Sequence, residues 1–227
     1  ENTWKEKENK KMTIYIIDLE PVESRYTAQW KKFIPQELQR LTNDKVITIS
    51  GGDVPQTTTP GAFLNFAGTN VYKSQQSIDV AKLFADNKVK AGDHFVYTDA
   101  WNPSIIQLQY MRQLLQIDCK IHALWHAGSY DPQDFLGRLI PDKHWSYSFE
   151  RSLFHAIDCN YFATDFHIKM FVETLDLPND PKKIIRTGWP MGYMDGLLSN
   201  YKGMKKKDMI VFPHRLAPEK QLDIFED

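Results

Sequence analysis

The chain has 227 residues, 42% of them hydrophobic and 25% charged, with 28 Lys and Arg against 29 Asp and Glu for a formal net charge of -1. That balance speaks against a general polyanion binder, and the apolar content suffices for one large domain or for a domain plus part of another. No apolar run approaches the roughly 20 residues of a membrane span, and the charged start ENTWKEKENKKM lacks the apolar heart of a signal peptide, so a cytoplasmic protein is expected.

The two cysteines, Cys119 and Cys159, each adjoin an expected buried strand and read as small core residues rather than as a disulfide framework or metal cluster. Regular patterning begins after Met12, so residues 1–11 read as a solvated charged tail or a remnant of cloning, with Met12 the natural start.

From Met12 onward, strand-like and helix-like segments alternate about six times, the pattern of an α/β fold with a mostly parallel, Rossmann-like sheet flanked by helices. TIYIIDL (13–19) is a strand, followed by a helix over 24–41 whose pattern is interrupted at Pro35. KVITIS (45–50) is a strand ending at Gly51 and Gly52, and residues 53–69, with Thr57, Thr58, Thr59 and two prolines, read as a long loop. A helix over 74–87 offers Ile78, Ala81, Leu83 and Phe84 as its apolar face.

The pattern then gives a strand over 93–100, a helix over 103–116 opened by Pro103, and the strand CKIHALWHAG (119–128). Beyond a polar break come a helix over 146–157, a strand over 159–164, a helix over 165–175 and a strand over 182–188. Residues 201–208, with Lys205 to Lys207, read as a linker. The chain closes with a short strand over 209–213, a turn over 214–217 and a helix start from Pro218.

Chemistry in such a sheet gathers at the carboxyl ends of the strands, where loops meet helix N-termini. His126 stands at one such end, ahead of a loop carrying Tyr130 and Asp131, and reads either as a cleft-facing functional group or as a half-buried histidine bonded to backbone. Asp131 is a candidate to orient it or to bind an acceptor hydroxyl. His122, four residues earlier on the same face, lies about 13 Å away along a strand, too far to share a metal ion.

Asp99, Trp101 and Asn102 repeat the arrangement at the preceding strand, with the indole either stacking on a ligand or covering the end of the sheet. Near the chain's end, Arg215 on the turn, Lys220 in the first helical turn and the free N–H groups after Pro218 together suit a diphosphate.

A complete α/β unit, a linker, and a strand running into HRLAPEK resemble the retaining, nucleotide-sugar-dependent glycosyltransferases of the GT-B fold. The layout resemblance spans 12 to about 200; at motif level it covers Phe212 to Lys220 and the surroundings of His126. It implies an acceptor-side domain over 12–200 and the start of a nucleotide-sugar-binding domain over 209–227. It further implies donor-diphosphate contacts from Arg215 and Lys220, and a sugar contact from His126.

Asp131 joins His126 as a catalytic candidate in this reading, while Asp99, Trp101 and Tyr130 are the acceptor-side candidates. The donor is a nucleotide-diphosphate sugar such as a UDP-sugar, with no required metal, since no Asp-x-Asp motif is present. The acceptor is open among a glycan, a lipid-linked sugar, a small molecule, a protein and a hydroxymethylated DNA base.

The family's glycine-rich loop after the first strand is here DLEPVESRY, without glycine. Either Arg25 or Ser24 substitutes, or the Gly51-Gly52 turn contributes, or the second domain holds the donor. Trp189, Pro190 and Met191 are expected to pack an interdomain hinge, with Gly188 and Gly192 permitting closure.

Two rivals remain: a non-catalytic sugar or nucleotide binding module, and a sugar-nucleotide epimerase. A dinucleotide oxidoreductase is disfavoured because no Gly-x-Gly-x-x-Gly follows any strand.

Overall fold

A computed structural model describes residues 11–227 except 24, 61, 63, 214–220 and 227. Six parallel strands form one sheet: β1 (Thr13–Ile17), β2 (Lys45–Ile49), β3 (His94–Tyr97), β4 (Lys120–Leu124), β5 (Cys159–Phe162) and β6 (Ile184–Arg186). Their order is β2-β1-β3-β4-β5-β6. The helices are α1 (Tyr26–Leu41), α2 (Phe66–Ala85), α3 (Ser104–Leu114), α4 (Phe135–Leu139), α5 (Lys143–Ala156), α6 (Asp165–Leu175), α7 (Tyr193–Ser199) and α8 (Leu222–Glu226). This is the Rossmann-like α/β architecture expected from the alternation.

The order places a topological switch at β1. The chain leaves β1 toward β2 on one side, then crosses back to β3 on the other, and every later connection continues outward from β3. Right-handed crossovers then set α1 on one face and α2, α3, α5 and α6 side by side on the opposite face. The larger core lies beneath these four helices, where Phe95, Tyr97, Ile121, Ala123 and Phe162 point inward in strand alternation. On the reverse face, His94, His122 and Tyr161 join β3, β4 and β5 through hydrogen bonds of 2.8 and 2.9 Å.

Several boundaries differ from the sequence reading for physical reasons. α2 begins at Phe66, inside the expected loop, because Asn65 caps it by accepting from Gly68 N at 2.8 Å. Its buried stripe is Tyr72, Gln76, Val80 and Phe84, spaced one turn apart, whereas Ile78 is 49% exposed. The stripe was masked by Gln76, which is buried because it donates to Asp18 O, Asp18 Oδ1 and Ile49 O. α1 runs unbroken through Pro35. α4 occupies the stretch that read as a polar break, and α7 occupies 193–199, to which the sequence reading assigned no element.

Cys119 is fully buried and Cys159 half-buried, both as free thiols. Residues 209–213 make no ladder with any strand among the described residues, and Ile210 is 87% exposed, so the expected final strand is not formed here. Phe212 nevertheless packs on Phe225 of α8 with ring centroids 5.0 Å apart. No described helix is long and apolar enough to cross a membrane.

Candidate functional site

The loops after β1 and β3 diverge at the switch point, and the opening they leave is a cavity of about 330 Å³. The loop after β1 supplies Glu20, the loop after β3 supplies Asp99 and Trp101, and the segment after β4 supplies His126. Lys73 reaches in from α2, and Phe66 and Phe135 stack 5.4 Å apart where α2 meets α4.

Asp99 and Lys73 form the charged wall. Lys73 Nζ donates to Asp99 Oδ2 at 3.3 Å and to Trp101 O at 2.6 Å, while Asp99 Oδ1 accepts from Trp101 N at 3.1 Å. Burial alone would raise the Asp99 pKa, but the nearby ammonium and the backbone donor more than offset it and hold the carboxyl below its usual range. Trp101 is held in place because its indole N–H donates to Glu150 Oε1 at 2.8 Å.

Glu150 is fully buried on α5 and also accepts from Ser129 N and Ser129 Oγ, at 2.5 and 2.8 Å. A side chain on Gly128 would collide with this carboxylate and with the Tyr130 ring. The loop after β4 is therefore packed tight rather than hinged at its glycine.

His126 has both ring nitrogens engaged. Nε2 lies 2.6 Å from Thr98 O, which can only accept, so Nε2 carries the proton; Nδ1 then accepts from Tyr26 OH at 2.8 Å. Burial lowers the imidazole pKa, and burial likewise pushes the Tyr26 phenol up to about 12. Both groups are neutral at pH 7, and the imidazole sits among the rings of Tyr26, Trp30 and Trp189, at 5.9, 5.4 and 4.7 Å. Asp134, which caps α4 from the cavity wall, has its carboxyl pushed up to about 6 by burial.

Three expected site residues thus meet at the cavity: His126, Asp99 and Trp101. Tyr130 does not; it is 2% exposed, packs edge-on against Trp125 and Phe171, and its hydroxyl lies 2.6 Å from His167 Nε2. The chain turns inward after Gly128, so a large ring two residues on fills the core instead of facing ligand. Asp131 does not orient His126; its Oδ1 accepts from Gln133 N at 2.8 Å and closes the turn. Arg215, Lys220 and Ser24 lie outside the described residues.

Arg25 does line the cavity, with its guanidinium 5.5 Å from the Tyr26 ring. Gly52 takes a φ of 86° with open space around it, and Gly51 serves packing: a side chain there would overlap the Tyr72 backbone and ring. That contact lets Tyr72 OH, along with Ser50 Oγ and Gln76, donate to Asp18. In the first turn of α2, Phe66 N donates to Thr59 Oγ1, Gly68 N to Asn65 Oδ1 and Thr69 N to Asn65 O. Trp189 and Pro190 pack on α1, with Trp30 Nε1 donating to Pro190 O at 2.9 Å.

The sequence reading missed Glu20, Lys73 and Glu150. Thr69 and Lys73 lie four apart on one helix face, a spacing that would have flagged the pair had α2 been started at Asn65.

Among the described residues, no group of three or more His, Cys, Asp and Glu is placed to hold a metal ion. No family model matches the chain, and no curated protein matches it.

Proposed function

We propose that residues 12–200 are the acceptor-side domain of a retaining, nucleotide-sugar-dependent glycosyltransferase of the GT-B type. Such an enzyme moves a sugar from a nucleotide-diphosphate donor, such as a UDP-sugar, to an acceptor hydroxyl. The observation that carries this reading is the cavity at the carboxyl ends of β1, β3 and β4, where polar groups (Glu20, Asp99, Lys73) stand beside aromatic walls (Trp101, Phe66, Phe135). A sugar ring needs that mixture, because its hydroxyls require partners and its C–H faces require apolar contact. The HRLAPEK resemblance adds the donor side, with Arg215 and Lys220 as the diphosphate contacts.

In the reaction, the anomeric carbon exchanges its bond to the diphosphate oxygen for one to the acceptor oxygen, the acceptor hydroxyl's proton passes to the departing diphosphate oxygen, and the nucleoside diphosphate leaves. This chain's contribution is alignment and electrostatics. His126 offers a neutral ring to the cavity, with its proton held by Thr98 O. Asp99 and Lys73 offer a fixed ion pair to acceptor hydroxyls.

The full occupation of the His126 nitrogens also favours a second reading, a sugar-binding module without transfer, because neither nitrogen is free to exchange a proton.

The test is to incubate the natural gene product with a panel of nucleotide-diphosphate sugars and candidate acceptors, and to follow acceptor mass. A gain of one sugar residue, with release of nucleoside diphosphate, is expected. Sugar binding with no transfer selects the module, and a panel neither bound nor consumed overturns both readings.

A further inference from the structure

Among the described residues, one buried side-chain polar atom has no hydrogen-bond partner: Glu20 Oε2. Glu20 is 1% exposed, lies on the cavity wall, and is held at its other oxygen by Thr69 Oγ1 at 2.6 Å. Buried polar atoms are almost always satisfied, so an orphan oxygen on a residue that lines a cavity marks a group reserved for a ligand. The contrast with neighbouring carboxylates is sharp. Asp18 accepts from Ser50, Tyr72 and Gln76, Glu150 from Trp101 and Ser129, and Asp99 from Lys73 and Trp101 N.

The surroundings set the class of ligand. Thr69, which fixes Glu20, and Lys73 are one turn apart on α2, about 6 Å along the helix. Two of the three Lys73 N–H donors are used, on Asp99 and Trp101 O. The wall therefore offers an acceptor at Glu20 and a donor at Lys73, a match for hydroxyls, which donate and accept. A cationic ligand would meet Lys73 and Arg25, and an anion would meet Glu20, Asp99 and Asp134. The apolar surface comes from Trp101, pinned by Glu150, and from the Phe66 and Phe135 pair.

We infer that Glu20 is the ligand-holding carboxylate of this cavity and that the ligand is a neutral, polyhydroxylated ring of the pyranoside kind. One of its hydroxyls donates to Glu20 Oε2, and its C–H face lies on Trp101. This rests on the cavity being the acceptor site proposed above.

The experiment titrates the protein with methyl glucopyranoside, methyl galactopyranoside and methyl mannopyranoside, with glucosamine and glucose 6-phosphate as charged controls. Resonances of the Trp101 indole and the Thr69 amide are followed by NMR. At least one neutral pyranoside should shift both, and bind at least tenfold more weakly to Glu20→Gln, whose amide turns the orphan acceptor into a donor, and to Glu20→Met. Melting of Glu20→Gln at or above the wild-type temperature is expected, because an unsatisfied carboxylate is removed.

Failure of every neutral pyranoside to shift those signals, or tighter binding of a charged control, overturns the ligand class. Wild-type affinity in Glu20→Gln, or a clear fall in its melting temperature, overturns the role of Glu20. The two proposals fail separately. Sugar transfer with an acceptor KM unchanged in Glu20→Gln defeats this inference and leaves the transferase; Glu20-dependent binding without transfer does the reverse.

Discussion

The Lys73 and Asp99 pair shows how much one side chain in the cavity wall decides. Their side chains are 15% and 17% exposed, so removing the ammonium strands a mostly buried carboxylate. Lys73→Met should therefore cost about 3 kcal/mol of stability, and adding Asp99→Asn should recover much of it, measured by denaturant melts. Equal losses in the single and double variants would mean that the lysine acts through packing alone.

Buried histidines give a second consequence at this scale. Burial pushes His122 and His167 down to about 4, while the same side chains titrate near 6.5 when exposed. Between those values the unfolded chain binds more protons than the fold. Stability from these two groups is thus fully present above pH of about 6.5 and is lost as pH falls toward about 4. Imidazole resonances should show both rings neutral at pH 5, and midpoints near 6.5 would contradict this. His126 and Trp101 were legible in the sequence because each ends an apolar strand before a loop. Glu20 and Glu150 were not, since nothing local distinguishes a buried carboxylate from a solvated one on a polar segment.

At the level of elements, strands were legible because a parallel sheet covered by helices draws on β-branched and aromatic runs such as TIYII and HFVY. The start of α2 was hidden by a glycine in its first turn and a buried glutamine in its stripe. Both exist for tertiary reasons that no periodicity carries. Gly51 is the companion case: it brings the end of β2 against Tyr72, so that β1, β2 and α2 share the Asp18 hydrogen-bond cluster. Gly51→Ala must push these elements apart and should destabilise the fold by about 1–3 kcal/mol. Thermal melting within experimental error of wild type would show that the contact yields freely.

For the molecule as a whole, strand order brings together what the sequence scatters. Glu20, Lys73, Asp99 and His126 belong to four different segments, and they meet because β1, β3 and β4 are adjacent and the connections diverge at β1. Tyr130 and Asp131 lie closer to His126 in sequence, yet the turn at Gly128 carries them away from the cavity.

Under the proposed function this cavity receives the acceptor, which can be tested by filling it. Ala127 lies on the cavity wall, and Ala127→Phe would place a ring where the acceptor is held. The decisive measurement is the rate of sugar transfer by the natural gene product and by this variant, with nucleoside-diphosphate affinity measured alongside. The account predicts that transfer falls at least a hundredfold while diphosphate affinity is unchanged, a loss of about 3 kcal/mol in transition-state stabilisation. Undiminished transfer by the filled variant would contradict it.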